Sequence, residues 1–84
     1  MSIFDRVDNV RRLWTLMLPD VGLPSDTWLA RWCASFPDEI IETALAQTSK
    51  KFANAGVADE SVHRYATSTM RHAAERRKQE VEAA

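Results

Sequence analysis

Apolar residues recur every three or four positions along most of this chain, which is the spacing of α-helices that bury one face. The first periodic segment stops at Pro19, since the residue before a proline is disfavoured in a helix. Three more periodic segments follow, and no segment alternates apolar and polar residues as a strand would. The pattern predicts an all-α fold, a small single-core bundle of four helices at about 3–18, 25–36, 37–54 and 59–80.

Capping residues indicate where these helices begin and end. Ser25 is placed to cap the second helix, and Pro37 fits the first position of the third helix. Asn54 or Gly56 would end the third helix, because both residues tolerate a left-handed C-terminal cap. The apolar stripe of the fourth helix weakens after Ala73, so we expect the chain after about residue 78 to fray.

With 84 residues, the chain is expected to form one domain, 1–84, with a thin core. Short helices are not stable on their own, so the inner faces of all four must pack together. Aromatic side chains on those faces are expected to supply most of the buried area: Trp14, Trp28, Trp32, Phe36, Phe52 and Tyr65.

The cysteine content and the hydropathy bear on location. A single cysteine, Cys33, excludes an internal disulfide and suits a reducing compartment. No apolar run approaches the ~18 residues of a membrane span, and the N-terminus lacks the layout of a signal peptide. We therefore expect a cytoplasmic protein with no membrane partner.

Charge is distributed unevenly around a net value of −1. Residues 1–42 contain seven Asp or Glu and four Arg, whereas residues 43–84 contain seven Lys or Arg and five Asp or Glu. The second half is basic, but the whole molecule carries no long-range positive field. This balance argues against a protein that coats nucleic acid non-specifically, and equally against an acidic mimic of DNA.

Residues that could support catalysis or bind a metal are few. His63 and His72 are nine positions apart, which directs them to opposite sides of one helix. Cys33 lies on an apolar stripe, which favours an inert core thiol over a nucleophile. Asp38 and Glu39 suit the start of a helix better than acid–base work. We therefore predict a non-enzymatic protein with no catalytic residues, no metal site and no cofactor.

The basic residues of the second half are the candidate binding site. Arg64, Arg71 and Lys78 follow at seven-residue steps, so they share one side of the fourth helix. If the third and fourth helices form an antiparallel hairpin, the basic end of the third helix approaches Arg64. Such a ridge can bind phosphates, and the alternative is a solvated face whose charges balance helix dipoles. We define the basic set as the seven candidate nucleic-acid-binding residues: Lys50, Lys51, Arg64, Arg71, Arg76, Arg77 and Lys78.

The order of motifs between residues 23 and 78 is a further pattern. A short helix that ends in an aromatic residue is followed by an apolar segment, a lysine pair, a loop, a tyrosine and a basic extension. The residues are Glu39-Ile40-Ile41 with Ala44, Lys50-Lys51, Tyr65 with Thr69-Met70, and the stretch from Arg71 to Lys78. This order resembles the C-terminal domain of DnaD-like replication-initiation proteins of bacteria and phages. The resemblance implies a helical module that contacts DNA weakly through its last helix and tail, and that also contacts partner proteins of the replication machinery.

The sequence therefore favours a non-enzymatic helical binding module associated with phage or mobile-element replication, which docks DNA or a replication partner through the fourth helix and its basic end. We expect nucleic-acid binding to be weak and a protein partner to be present. The alternative is a small protein–protein interaction module, an inhibitor or adaptor of the phage type, which can form a homodimer and binds no nucleic acid. The two hypotheses differ in whether the basic set is continuous in space and free of intramolecular carboxylate partners.

Overall fold

A computed structural model describes residues 3–52 and 56–83, and every regular element in these ranges is a helix. The four helices are α1 (Ile3–Met17), α2 (Asp26–Ser35), α3 (Asp38–Phe52) and α4 (Asp59–Ala83). The predicted all-α bundle is confirmed. The helices α3 and α4 run antiparallel, because Glu39 at the start of α3 pairs with Arg77 near the end of α4, while Lys51 at the other end of α3 lies over Tyr65.

The helix ends follow the capping residues with some differences. The Ser25 hydroxyl accepts a hydrogen bond from the backbone N–H of Trp28 at 3.2 Å, which confirms it as the cap of α2. Pro37 was predicted to be the first residue of α3, but the helix begins one residue later, at Asp38. Pro37 precedes the helix, and its carbonyl accepts the N–H groups of Ile40 and Ile41. Gly56, a candidate left-handed cap of α3, lies outside the helices, and its role as a cap stays a prediction.

The C-terminal ends of α3 and α4 compare differently with the predicted ends. Asn54, the other candidate cap of α3, lies outside the described residues. The helix α4 ends at Ala83, about one turn beyond its predicted end near residue 80. The fraying of the chain after about residue 78 stays a prediction.

The core is centred on two tryptophans from different helices. Trp14 of α1 and Trp32 of α2 are buried, with ring centroids 6.0 Å apart. Aliphatic residues of all four helices surround them, including Leu29, Ile41 and Met70. The other four predicted core aromatics, Trp28, Phe36, Phe52 and Tyr65, are only half-buried. Trp28 and Phe36 therefore lie at the edge of the core, where they can also contact a ligand.

An arginine of α1 holds the junction between α2 and α3. The Arg6 guanidinium donates to the carbonyl oxygens of Cys33 and Phe36, at 2.7 and 2.8 Å, and pairs with the Asp38 carboxylate at 2.9 Å. These carbonyls lie at the C-terminal end of α2, where backbone acceptors lack partners within the helix. Arg6 thus caps α2 from a neighbouring helix and fixes where the sharp turn into α3 lies.

The loop between α1 and α2 is fixed against α4. His63 of α4 lies 2.7 Å from the Gly22 carbonyl through Nε2, and its ring packs edge-on against Trp14 at 5.3 Å. Trp14 also donates its indole N–H to the Val21 carbonyl at 3.1 Å. A Cβ on Gly22 would lie 2.5 Å from the Asp59 carboxylate, so a larger residue there would require the exposed Asp59 side chain to move. The loop consequently holds α4 beside α2 at one end.

Candidate nucleic-acid interface

All seven residues of the basic set have exposed side chains, but they lie on two sides of α4. On the side that faces α3, Lys51 places its Nζ 5.1 Å from the centre of the Tyr65 ring. Arg76 lies on the same side, because it lines a shallow groove with Thr43 and Gln47 of α3. Arg71 lies on the other side of α4 and lines a cavity with residues of α2. The basic set is therefore not one continuous ridge.

Intramolecular carboxylates partner two members of the basic set. Arg64 pairs with Glu60 one turn earlier at 2.7 Å, and Arg77 pairs with Glu39 of α3 at 3.2 Å. Both pairs are solvent-exposed, and exposed pairs contribute only about 0.2–1 kcal/mol. Phosphate can therefore compete for these two guanidiniums, although at some cost in affinity.

Other members of the basic set have no such partner. Lys50, Arg71, Arg76 and Lys78 form no ion pair with any residue whose side chain the structure describes. Arg71 and Lys78 share one side of α4, about 10 Å apart at the helical rise of 1.5 Å per residue. They are the pair best placed to contact successive anionic groups along this side.

The cavity beside Arg71 lies between α2 and α4 and has a volume of about 230 Å³. We call it the α2–α4 cavity. Seven residues line it: Trp28, Arg31, Trp32, Ser35, Phe36, Thr67 and Arg71. Within it, Thr67 of α4 accepts hydrogen bonds from the indoles of Trp28 and Trp32 of α2, which join the two helices.

Thr67 of α4 lines this cavity and is half-buried, and we call its position the floor of the cavity. Its hydroxyl oxygen accepts the indole N–H of Trp28 at 3.1 Å and that of Trp32 at 2.9 Å. The same hydroxyl donates to the His63 carbonyl at 2.9 Å. A hydroxyl has one proton and two acceptor lone pairs, so the hydrogen-bonding capacity of Thr67 is fully used within the protein.

Arg31 is a basic residue beside this cavity that was not among the seven predicted nucleic-acid-binding residues. It lies on α2 and lines the α2–α4 cavity together with Arg71 of α4. Like Arg71, it is exposed and forms no ion pair among the side chains that the structure describes. Two guanidiniums that share a cavity without a carboxylate create a local positive potential, which an anionic group would neutralise.

An apolar groove follows the cavity along α4. Pro37 and Ile40 of α3 face Ala74 and Val81 of α4 across it, and Arg77 and Lys78 stand at its edge. Pro37 comes directly after Phe36, and Ala74 lies about one turn beyond Arg71. This side of α4 therefore presents apolar surface with basic residues beside it over several turns.

The other residues considered for chemistry lie elsewhere. Cys33 is 2% exposed, and burial raises the pKa of its thiol above the ordinary value of 9.0. A raised pKa keeps the thiol protonated and unreactive at neutral pH. His63 packs on Trp14 while His72 is exposed. Among the described residues, no group of three or more His, Cys, Asp or Glu side chains could hold a metal ion.

Within the described part of the chain, none of the helices is long and apolar enough to cross a membrane. The chain matches no protein-family profile, and no curated protein or solved structure shows significant similarity to it.

Proposed function

We propose that this protein is a non-enzymatic binding module that docks nucleic acid through the side of α4 that faces α2. The observation that supports this most directly is the pair Arg31 and Arg71, which line one cavity without carboxylate partners among the described side chains. Lys78 extends this basic side by two turns of α4. Arg64 and Arg77 contribute further positive charge to this basic side when phosphate displaces their partners, Glu60 and Glu39.

The expected affinity is modest, because few cations take part and the net charge of the chain is −1. Nucleic-acid binding of this kind depends on the release of counterions from the phosphates. The logarithm of the affinity should fall with the logarithm of the salt concentration by about 0.7 for each phosphate neutralised on a single strand. We expect micromolar or weaker binding at physiological salt.

The biological setting is part of the same proposal. The order of residues between 23 and 78 resembles the C-terminal domain of DnaD-like replication-initiation proteins, which favours a role in phage or mobile-element replication in the cytoplasm. In that setting the module also binds a protein of the replication machinery. The all-α bundle is compatible with this resemblance, although many unrelated proteins share such a fold.

A fluorescence polarisation titration at low salt tests the proposal with single-stranded DNA, duplex DNA and RNA. The double variant Arg71→Glu/Lys78→Glu should abolish binding and leave the circular dichroism spectrum unchanged, because both side chains are exposed. The matched single variants are Arg71→Glu and Arg12→Glu. Arg12 undergoes the same charge change but lies on α1 beside Leu16, so its replacement should have a much smaller effect.

Two results would contradict the proposal. The first is that none of the three polymers binds at high micromolar protein. The second is that Arg12→Glu weakens binding as much as Arg71→Glu does, since this would indicate a response to net charge rather than to one surface.

A second candidate function is protein–protein interaction through α1. Leu16 is 79% exposed and Leu23 is 43% exposed, and together with Arg12 and Thr15 they line a shallow apolar groove. Exposed apolar patches of this kind often mark interfaces. If this groove forms a homodimer, sedimentation should show an association that depends on protein concentration and is lost in Leu16→Glu. A monomer at high micromolar concentration would exclude the homodimer.

A further inference from the structure

The α2–α4 cavity has the size and the walls of a site for one planar ring system. Its volume of about 230 Å³ is below the ~300–1,000 Å³ of pockets that hold drug-sized ligands. Trp28 and Phe36 are half-buried and line it, with the buried Trp32 beside them. Aromatic walls of this kind attract planar π-systems through stacking and edge-on contacts.

The polar groups of the cavity divide between its floor and its edge. On the floor, the Thr67 hydroxyl and both indole N–H groups are already bonded to each other. These groups therefore offer a ligand no free donor or acceptor that could distinguish one ring system from another. At the edge, Arg31 and Arg71 are exposed and lack carboxylate partners among the described side chains. The cavity thus combines a chemically tolerant aromatic interior with two cations and the exposed Ser35 hydroxyl at its entrance.

We infer that the α2–α4 cavity accepts one unpaired base of a single-stranded nucleic acid, with the adjoining phosphate held by Arg31 and Arg71. This inference rests on the proposed nucleic-acid function and specifies the class of polymer. The bases of a duplex are stacked and paired, so a base enters the cavity only after it leaves the stack. Stacking on aromatic side chains tolerates every base, so the site selects single strands without strong sequence preference.

The test compares three labelled polymers of equal length at low salt: a mixed-sequence DNA single strand, an abasic strand with the same phosphates, and a duplex. The mixed-sequence strand should bind at least fivefold more tightly than the abasic strand, and its binding should quench tryptophan fluorescence. Phe36→Leu should remove most of this difference, because it replaces an aromatic wall by an aliphatic one. Its effect on the abasic strand and on the duplex should be less than twofold.

Phe52→Leu is the matched control for Phe36→Leu. Phe52 is also half-buried, but it packs edge-on against Tyr65 at 5.1 Å, on the α3 side of α4. Its replacement should therefore leave the preference for bases intact. If Phe36→Leu does not fold, Ser35→Leu serves instead. Ser35 is exposed and lines the cavity, so a leucine there obstructs the entrance, while Ser35→Ala should bind like the parent protein.

The outcomes separate this inference from the proposed function. Equal affinity for the mixed-sequence and abasic strands would overturn the base site and leave phosphate binding by α4 in place. Binding to none of the polymers would overturn both. Poly-glutamate of equal charge is a competitor in the same titration. If poly-glutamate bound more tightly than the single strand and its binding were lost in Phe36→Leu, the cavity would be assigned to an acidic peptide, and both nucleic-acid conclusions would be overturned.

Discussion

The Thr67 hydroxyl on α4 accepts a hydrogen bond of 2.9 Å from the indole of Trp32 on α2. This bond joins the two helices across the floor of the α2–α4 cavity. A second indole, that of Trp28, donates to the same oxygen at 3.1 Å. A single threonine therefore bonds two of the aromatic residues that line the cavity.

Replacement of Thr67 by valine should destabilise the protein strongly. The change keeps the shape of the side chain but leaves two partly buried indole N–H groups without an acceptor. An unsatisfied buried donor costs about 1–3 kcal/mol, so we expect the free energy of unfolding to fall by about 2 kcal/mol or more in urea titrations. Thr43→Val is the control, because the Thr43 hydroxyl bonds only the Glu39 carbonyl of its own helix and is exposed. An equal loss in both variants would show that the indole bonds contribute nothing.

Arg6 should be essential for the junction between α2 and α3. Arg6→Gln removes a guanidinium that bonds the Cys33 and Phe36 carbonyls and the Asp38 carboxylate at once. Hydrogen bonds from charged donors contribute about 1.5–3 kcal/mol in favourable settings. Because Arg6 is partly exposed, we expect a loss of about 2 kcal/mol in total, measured by urea denaturation.

The variant Arg6→Lys separates the effect of positive charge at this position from the effect of the guanidinium geometry. A lysine keeps the charge but has no planar fork that can reach three acceptors, so it should restore less than half of the lost stability. Arg12→Gln on the exposed side of α1 should change stability by less than about 0.5 kcal/mol. Full rescue by lysine would show that charge alone matters at this position.

Much of the fold could be predicted from the sequence, because helical periodicity identifies the buried face of each helix. Ser25 and Pro19 marked ends that the structure confirms within a residue or two. The last turn of α4 was missed because the apolar stripe of this helix weakens after Ala73, and the apolar residue that follows, Val81, is exposed. Pro37 was misplaced by one position because a proline is compatible with both the cap and the first turn of a helix.

The candidate site could be predicted only in part. The exposed positions Arg71 and Lys78 follow from the seven-residue spacing on one helix. Arg31, Trp28 and Phe36 could not be assigned to the same site, because periodicity shows which face is buried and not which neighbouring helix covers it. The distance between α2 and α4 depends on how their side chains interdigitate. The sequence carried no signal that placed Thr67 opposite Trp28 and Trp32.

The thiol of Cys33 should titrate above its ordinary value, with a consequence for stability at alkaline pH. Burial raises its pKa in the folded protein above 9.0, so the folded state holds the proton more tightly than the unfolded state. The stability that Cys33 contributes is thus fully present below about pH 9 and is lost as the pH rises through the folded-state pKa. The difference in unfolding free energy between the parent protein and Cys33→Ala should shrink above pH 9.

A thiol reagent should react slowly with Cys33 in the folded protein and quickly once denaturant is added. Fast labelling of the folded protein would contradict the buried position of Cys33.

Removal of a carboxylate beside the basic set should strengthen nucleic-acid binding. Glu60 pairs with Arg64 at 2.7 Å, so Glu60→Gln frees a guanidinium on the side of α4 that carries Arg71 and Lys78. We expect an affinity gain of about two- to fivefold for single-stranded DNA at low salt, and a salt dependence steeper by up to about 0.7 in the logarithmic slope, as one more phosphate is neutralised. Asp20→Asn is the matched control, since Asp20 is exposed in the loop between α1 and α2 and undergoes the same charge change. If both variants gained equally, net charge would account for the effect, whereas a gain confined to Glu60→Gln places Arg64 in the binding surface.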